Sequence, residues 1–488
     1  MARPTGISSP DLDAELAAER RHLADARAAL HAMRQRAEQL YATGHTVAGD
    51  PFAAETLGIA LARRVAELAD DPRIPLFFGR LDLDGSAAVD DDGTDHGETV
   101  TGRFHIGRRH VSDNAGEPMV IDWRAPLSRT FYQASATHRQ GVTTRRRFGY
   151  HEGELTSFED EHLDRGQELG TTSRLLTEEI ERPRVGPMRD IVATIQPEQD
   201  ELVRAPLDTS ICVQGAPGTG KTAVGLHRAA YLLYVHRERL RRSGVLVVGP
   251  NAAFLRYIAA VLPALGELEV TQATIEDVVG RAPVRGHDEA AAQAVKHDAR
   301  MAEVLRRALW SRVRPPQGPL QVSDGAYRWR IDEGVLRRIV ADVRREDLPY
   351  GSGRERVRAR VVALLHRQVE SRTGESPGEA WQRRTARQRP VVDLLAHCWP
   401  ATTPEEILHR LWSDPEALAS AAEGLLTDAE QAVLWWPKPP RTPRSARWSA
   451  ADAVLLDEVA GLIARPAALG HVILDEAQDL SPMQCRAV

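Results

Sequence analysis

Gly215-Ala-Pro-Gly-Thr-Gly-Lys221-Thr222 fits the pattern G-x-x-x-x-G-K-[ST], in which backbone N–H groups curl around the phosphates of a nucleotide. The glycines let the backbone turn tightly. Lys221 carries a compact ammonium on a flexible stem toward the β- and γ-oxygens, and the Thr222 hydroxyl is a ligand for Mg²⁺. The chain has only three lysines, at 221, 296 and 438, so arginine supplies nearly all of its 63 Lys and Arg side chains. A wide planar guanidinium fits a phosphate cradle poorly, which is why a lysine at this place is informative. The flanks agree with the loop. Thr209 to Gln214 predicts a short buried strand, and Ala223 to Val235, with Val224, Leu232 and Leu233, predicts a helix packed on a sheet. Phosphates held by Gly215, Ala216, Pro217, Gly218, Thr219, Gly220, Lys221 and Thr222 would then meet a helix N-terminus. The bland alternative is a glycine-rich turn before an unrelated helix.

At 488 residues the chain has room for about three domains. Its 42% hydrophobic and 27% charged residues are an ordinary globular balance. A net charge of −6 excludes a wholly basic nucleic-acid coat protein, so any nucleic-acid contact has to come from a local basic patch. Cys212, Cys398 and Cys485 lie far apart without metal-ligand spacing, which fits a reducing cytoplasm. Neither a signal peptide nor an apolar run of about eighteen residues is present, so neither secretion nor a membrane span is expected. The excess of Ala, and of Arg over Lys, fits a G+C-rich bacterial genome.

Upstream, residues 11–43 keep a heptad. Leu16, Leu23, Leu30 and Ala37 share one position and Ala26, Met33 and Leu40 another, with Glu19 as the one interruption on the seam. A helix of roughly 50 Å follows from the rise per residue. Gly44 to Pro51 breaks it, and Leu57, Leu61, Val65 and Leu68 predict a shorter antiparallel partner, so that residues 1–72 form a helical hairpin. The longer helix should project by its first turns beyond the shorter one, as a docking probe; burial as a packing element is the alternative. From Pro75 the period changes to two. Leu76–Leu81, Val100–Ile106, Met119–Trp123 and Gly141–Phe148 predict strands of a small β-rich domain over residues 73–165. Asp82, Asp84, Asp90, Asp91, Asp92, Asp95 and Glu98 make an acidic loop within it: solvated, or a mimic of a phosphate backbone, or a metal chelator. Residues 276–465 read as a helical, Arg-rich insertion holding eight of the nine tryptophans. These are expected in its core, with an exposed binding face as the alternative.

The rest of the site brackets that insertion. Val245–Val248 predicts a fully buried strand ending in Gly249-Pro-Asn251, and His471–Leu474 a strand running into Asp475-Glu-Ala-Gln-Asp479. Asp475 is placed to hold the Mg²⁺ that Thr222 also touches, and Glu476, with Gln478 beside it, to orient or deprotonate the attacking water. Gln199, in Ile195-Gln-Pro-Glu-Gln199, carries an amide that complements the N6/N7 edge of adenine. ATP and Mg²⁺ are the implied cofactors.

These motifs, in this order, resemble the superfamily 1 helicase ATPases. Together with the hairpin, Phe78-Gly-Arg-Leu81, Ile121-Asp-Trp-Arg-Ala-Pro126 and Phe131-Tyr132, the chain is similar to the actinobacterial form of the HelD (HelR) family of ATPases that recycle RNA polymerase. The resemblance implies an α/β fold: a P-loop NTPase, RecA-like parallel sheet with a large helical insertion, preceded by the helical hairpin and the small β-rich domain. Its first lobe would occupy 166–275, from the glutamine motif through the phosphate loop, and 466–488, with the insertion at 276–465 between. It also implies a cytoplasmic, monomeric partner of the RNA polymerase core, with nucleic acid a further candidate partner. The family's coiled coil enters the polymerase secondary channel, its insertion opens the clamp, and some members are linked to rifamycin tolerance. The family also uses a second RecA-like lobe with an arginine finger, which can be worth roughly 10³–10⁵ in rate. Residues 480–488 leave no room for one, so this stretch is expected to bind ATP and hydrolyse it poorly. Two other functions compete: a DNA helicase or translocase, and a non-catalytic polymerase-binding module.

Overall fold

The computed structural model describes residues 9–44, 51–89, 98–169, 173–181, 191–259, 261–265 and 270–488. Asp90, Asp91, Asp92 and Asp95 of the acidic stretch, and the start of the nucleotide lobe near Met188, lie outside them. The chain divides into two compact units. One comprises Met1–Val247, Asn251–Gln272 and Leu469–Ile473, the other Val248–Pro250, Ala273–Ala468 and Leu474–Val488.

The first unit opens with α1 (Ser9–Gly44) and α2 (Pro51–Glu67). A six-stranded sheet follows: β1 (Phe77–Val89), β2 (Glu98–Gly107), β3 (Val111–Ser112), β4 (Pro118–Asp122), β5 (Val142–His151) and β6 (Glu154–His162), in the order β3-β4-β2-β1-β5-β6. The α1 seam lies on this sheet. Leu23, Ala26, Leu30 and Ala37 are buried in one cluster with Leu68, Phe77, Val120, Phe148 and Leu155, and each leucine side chain removed from water contributes about 1.5–3 kcal/mol. The heptad from Leu23 to Ala37 is therefore a packing face, whereas residues 12–15 in the first turns of α1 are exposed. Arg20 Nε donates to Leu155 O (2.9 Å), and the His22 Nε2 contact to Met119 O is 2.9 Å. Exposed apolar side chains stand at both ends of α1: Leu12 near its start, and Leu40 (59%) and Tyr41 near its end, with Leu57 and Ile59 (57%) exposed on α2.

Glu19 is an anchor and no interruption. It is buried and accepts from Arg80, from Arg146 Nη1 (3.0 Å) and, at 2.8 Å, from His105 Nε2. Burial alone would raise its pKa; the hydrogen bond from His105 and the charges of Arg80 and Arg146 outweigh that and hold it at about 2. Burial also pulls His105 down to about 4, against the raising effect of Glu19.

Between β4 and β5 lies α3 (Arg129–Gln133), and after the sheet come α4 (Arg174–Glu181), α5 (Pro197–Arg204) and α6 (Lys221–Val235). A three-stranded sheet sets β7 (Val245–Gly249) between β8 (Val270–Thr274) and His471–Leu474. Gly470 N donates to Gly244 O (2.9 Å) and Asp475 N to Val248 O (3.0 Å), so the two segments advance together. Every residue of β7 is buried, as its apolar run predicts, whereas all four residues of His471–Leu474 are only half-buried. The strand expected at Thr209–Gln214 does not form. Thr209, Ser210, Cys212 and Gln214 are exposed, and the sheet ends at His471–Leu474 without a ladder for them. An apolar run makes a strand only where a partner accepts its hydrogen bonds.

The second unit is mostly helical over 275–463, with an antiparallel hairpin, Leu320–Asp324 against Tyr327–Ile331, that the helical reading missed. The tryptophans go where large aromatics usually go. Trp329, Trp381, Trp399, Trp412 and Trp448 are buried and Trp435 is exposed. Trp399 lies so close to the helix Tyr350–Thr373 that a Cβ at Gly353 would meet its ring at 2.5 Å. Lys296, 2% exposed, is held by Asp288 (2.6 Å) and Asp452 (2.7 Å).

Candidate nucleotide-binding site

The loop before α6 owes its shape to three glycines. Gly218 (φ 83°) and Gly220 (φ 86°) adopt the left-handed conformation that costs other residues roughly 1–2 kcal/mol, and a Cβ on Gly215 would meet Thr219 Oγ1 at 2.7 Å. Thr219 closes the turn, its N (3.3 Å) and Oγ1 (2.9 Å) both donating to Ala216 O. Lys221 Nζ donates to Gly215 O (2.9 Å) and Ala216 O (3.2 Å), which holds the ammonium over the loop. Lys221 and the half-buried Thr222 begin a 15-residue helix, so their N–H groups stand at the positive end of its dipole. Pro217 and the other residues from Gly215 to Thr219 are exposed.

Gln199 docks on this loop. Its Nε2 donates to Thr219 O (3.2 Å) while its Oε1 accepts from Gln196 N (3.1 Å). A carboxamide has two N–H groups and two lone pairs, so one donor and one acceptor remain for a ligand edge. That is the pair adenine requires.

The elements that fix Gln199 escaped sequence reasoning. On α5, Arg204 donates from Nη2 to Trp123 O (2.7 Å), from Nη1 to Arg124 O (3.2 Å) and from Nε to Asp200 Oδ1 (2.7 Å). From α3, Gln133 Nε2 donates to Pro197 O and to Asp200 Oδ2, both at 3.0 Å, and Tyr132 OH donates to Val192 O at 2.9 Å. Asp122 shapes the turn that presents those carbonyls. It accepts from Arg124 N and Nε, both at 2.9 Å, while its own carbonyl accepts from Ser128 Oγ (2.6 Å). The quoted motifs Ile121–Pro126 and Phe131-Tyr132 are thus the seat of the glutamine helix. Two α6 residues complete it. Arg228, buried, donates to Ala205 O (2.6 Å), Pro206 O (2.8 Å) and Leu202 O (3.1 Å), satisfying the carboxyl end of α5. His227, fully buried, accepts from Ile191 N at Nε2 (3.1 Å), so its Nδ1 donates to Ala223 O (2.7 Å). The only sequence signal for either was a charged or polar residue on the buried face of an apolar helix.

Asp475 to Asp479 fall in the second unit. Asp475, half-buried, follows directly on the strand His471–Leu474, and its Oδ1 accepts from Glu476 N (3.1 Å). Glu476 sits at φ 50°, an uncommon conformation for a non-glycine residue, and its carboxylate accepts from Gln478 Nε2. Both side chains are exposed. Among the described residues no group of three or more His, Cys, Asp or Glu could hold a metal. The donors at Thr222 and Asp475, a hydroxyl and a carboxylate, are of the type Mg²⁺ takes, since it keeps several waters and needs few protein ligands. Also among the described residues, no helix is long and apolar enough to cross a membrane.

The loop before α6, with the Gln199 amide docked on it, lies in a mixed α/β structure. Residues 16–173 match the family described as DNA helicase IV HelD, N-terminal domain. The match runs from α1 past the last strand of the six-stranded sheet. No curated protein matches the chain.

Proposed function

We propose that the chain is a helicase-type ATPase of the HelD family whose RecA-like parallel sheet binds ATP–Mg²⁺ and whose task is to remodel RNA polymerase complexes. The observation that carries the nucleotide part is the loop Gly215–Thr222, with two left-handed glycines, Lys221 held over it and Gln199 docked on Thr219 O. In this reading Lys221 and the first N–H groups of α6 bind the phosphates, Gln199 orients adenine, and Thr222 and Asp475 hold the metal. Glu476, steadied by Gln478, takes the proton of the attacking water. When bound, Mg²⁺ supplies charge neutralisation at the phosphates.

The polymerase part rests on the resemblance and is supported by the far end of the hairpin, where Leu40, Tyr41, Leu57 and Ile59 are exposed. The description of the matched domain favours a second reading, a strand-separating DNA helicase. A fluorescent ATP analogue tests the site. Lys221→Ala should abolish its binding with helicity unchanged, and unaltered affinity would overturn the assignment. Co-purification with polymerase core, lost on Leu40→Asp/Ile59→Asp, separates the readings; ATP-driven duplex unwinding without polymerase retention would favour the helicase.

A further inference from the structure

Asp475 and Glu476, the carboxylates read as metal ligand and base, sit on an unusual stretch of backbone. Glu476 takes φ 50°, a left-handed conformation that a residue with a Cβ keeps only where its surroundings over-determine it. Upstream, Asp475 N donates to Val248 O (3.0 Å). Downstream the chain turns once through Ala477–Asp479, where Asp479 N donates to Glu476 O (2.9 Å), and then enters the short helix Pro482–Ala487. The carboxylates are therefore held only as firmly as that helix is.

The helix is fixed in three ways, all within the second unit. Met483, 1% exposed, belongs to the apolar cluster that contains Met301 and Leu456. Arg486 Nη2 pairs with Glu458 (2.7 Å) on the helix Ala450–Ile463. The third contact comes from a side chain that no motif marks. Ser481 caps the helix, its Oγ accepting from Gln484 N (3.2 Å), and the same hydroxyl meets His297 Nδ1 at 2.7 Å, while Met483 N donates to His297 O (3.4 Å). The hydroxyl proton is left for the ring, and burial keeps the His297 pKa below its ordinary value, so that a neutral Nδ1 accepts it. His297 is itself anchored. It follows the helix Ala290–Lys296, whose last residue is buried between Asp288 (2.6 Å) and Asp452 (2.7 Å). Asp452 also accepts from Trp412 Nε1 (3.1 Å) and Ser449 N (3.0 Å), and Asp288 accepts from Ser449 Oγ. A satisfied buried network of this kind is rigid.

We propose that His297 is a positioning residue for the ATPase site: through Ser481 it holds the left-handed turn at Glu476, and with it the Asp475 carboxylate, in the conformation that takes Mg²⁺. This role presupposes the ATP–Mg²⁺ reading of the site. A tether that served the fold alone would change local stability and leave the metal requirement as it is.

Two measurements on the 488-residue chain test the role. Hydrogen exchange of residues 475–485 should accelerate roughly 5- to 100-fold in His297→Ala, as for a lost hydrogen bond whose partner stays unsatisfied, with exchange of Ala450–Ile463 unchanged. The Mg²⁺ concentration for half-maximal affinity toward the fluorescent ATP analogue should rise about tenfold, as for a residue behind a metal ligand, while affinity in EDTA stays that of the parent chain. His297→Asn, whose Oδ1 takes the place of Nδ1, should restore both. Lys221→Ala should abolish analogue binding and leave the exchange rates alone. Unaltered exchange in His297→Ala, acceleration that is as large in Ala450–Ile463, faster exchange with an unaltered Mg²⁺ requirement, or an asparagine variant that behaves as the alanine one would each overturn the proposal. Failure of the parent chain to bind the analogue, with exchange still accelerated by His297→Ala, would overturn the ATPase reading and the role of His297 with it.

Discussion

Arg204 is the perturbation that best tests how the glutamine helix is seated. In Arg204→Ala, Trp123 O and Arg124 O lose a charged donor, and Asp200, 0% exposed, keeps only the neutral amide of Gln133. Breaking a buried pair from one side costs about 3–5 kcal/mol, because the surviving charge stays desolvated. Removing both charges, in Asp200→Ala/Arg204→Ala, takes that penalty away and leaves the loss of the two carbonyl bonds. The double variant should therefore be more stable than the sum of the singles by about 1–3 kcal/mol. Hydrogen exchange of the peptide Pro197–Arg204 along a urea series reads this locally, without assuming that the whole chain unfolds in one step. Because α5 carries Gln199, affinity for the ATP analogue should fall in Arg204→Ala and recover in part in the double variant. Additivity within about 0.5 kcal/mol would refute the argument, since it would mean that Asp200 and Arg204 do not act as a pair.

Gly218→Ala meets nothing within 4 Å but must hold φ 83°, so it should cost about 1–2 kcal/mol by backbone strain alone; Gly220→Ala, with Gln199 Nε2 at 3.5 Å, should lose adenine preference as well, checked by ATP against GTP competition. Acid should release α1 from the sheet in two stages. His105 and Glu19 both have folded values below their unfolded ones, so each contributes stability above its unfolded pKa and loses it as pH falls: His105 from 6.5 toward about 4, Glu19 from 4.5 toward about 2. Hydrogen exchange of residues 15–33 should accelerate below pH 6.5, and His105→Gln should remove the upper stage only.

The parts legible in the sequence were those in which a local pattern decides the structure. Val245–Val248 is apolar throughout and is buried throughout, and the loop from Gly215 carries its own backbone instructions. Readings failed where the outcome depends on a distant partner. Thr209–Gln214 has the composition of a strand but no ladder, and β6, with charges on both faces, forms because residues such as Glu161 meet Arg145 (2.5 Å) on β5. Glu19 reads as a flaw in a heptad until Arg80 and Arg146 are seen opposite it. At the site, Gln199 was legible as a side chain with the right chemistry, whereas Arg204, Arg228 and His227 matter through backbone carbonyls and amides, which no pattern of side chains announces.

The scarcity of lysine has a practical consequence. Guanidinium groups do not acylate at neutral pH, so amine-directed chemistry meets very few targets on this surface. Lys296 is shut away between Asp288 and Asp452, Lys438 is exposed, and Lys221 stands half-exposed on the phosphate loop. An acylating reagent, counted by mass spectrometry at Lys221 against Lys438 as internal standard, would report directly on who occupies the loop, and enzymatic lysine acetylation, if it reaches this protein, has the same short list of addresses.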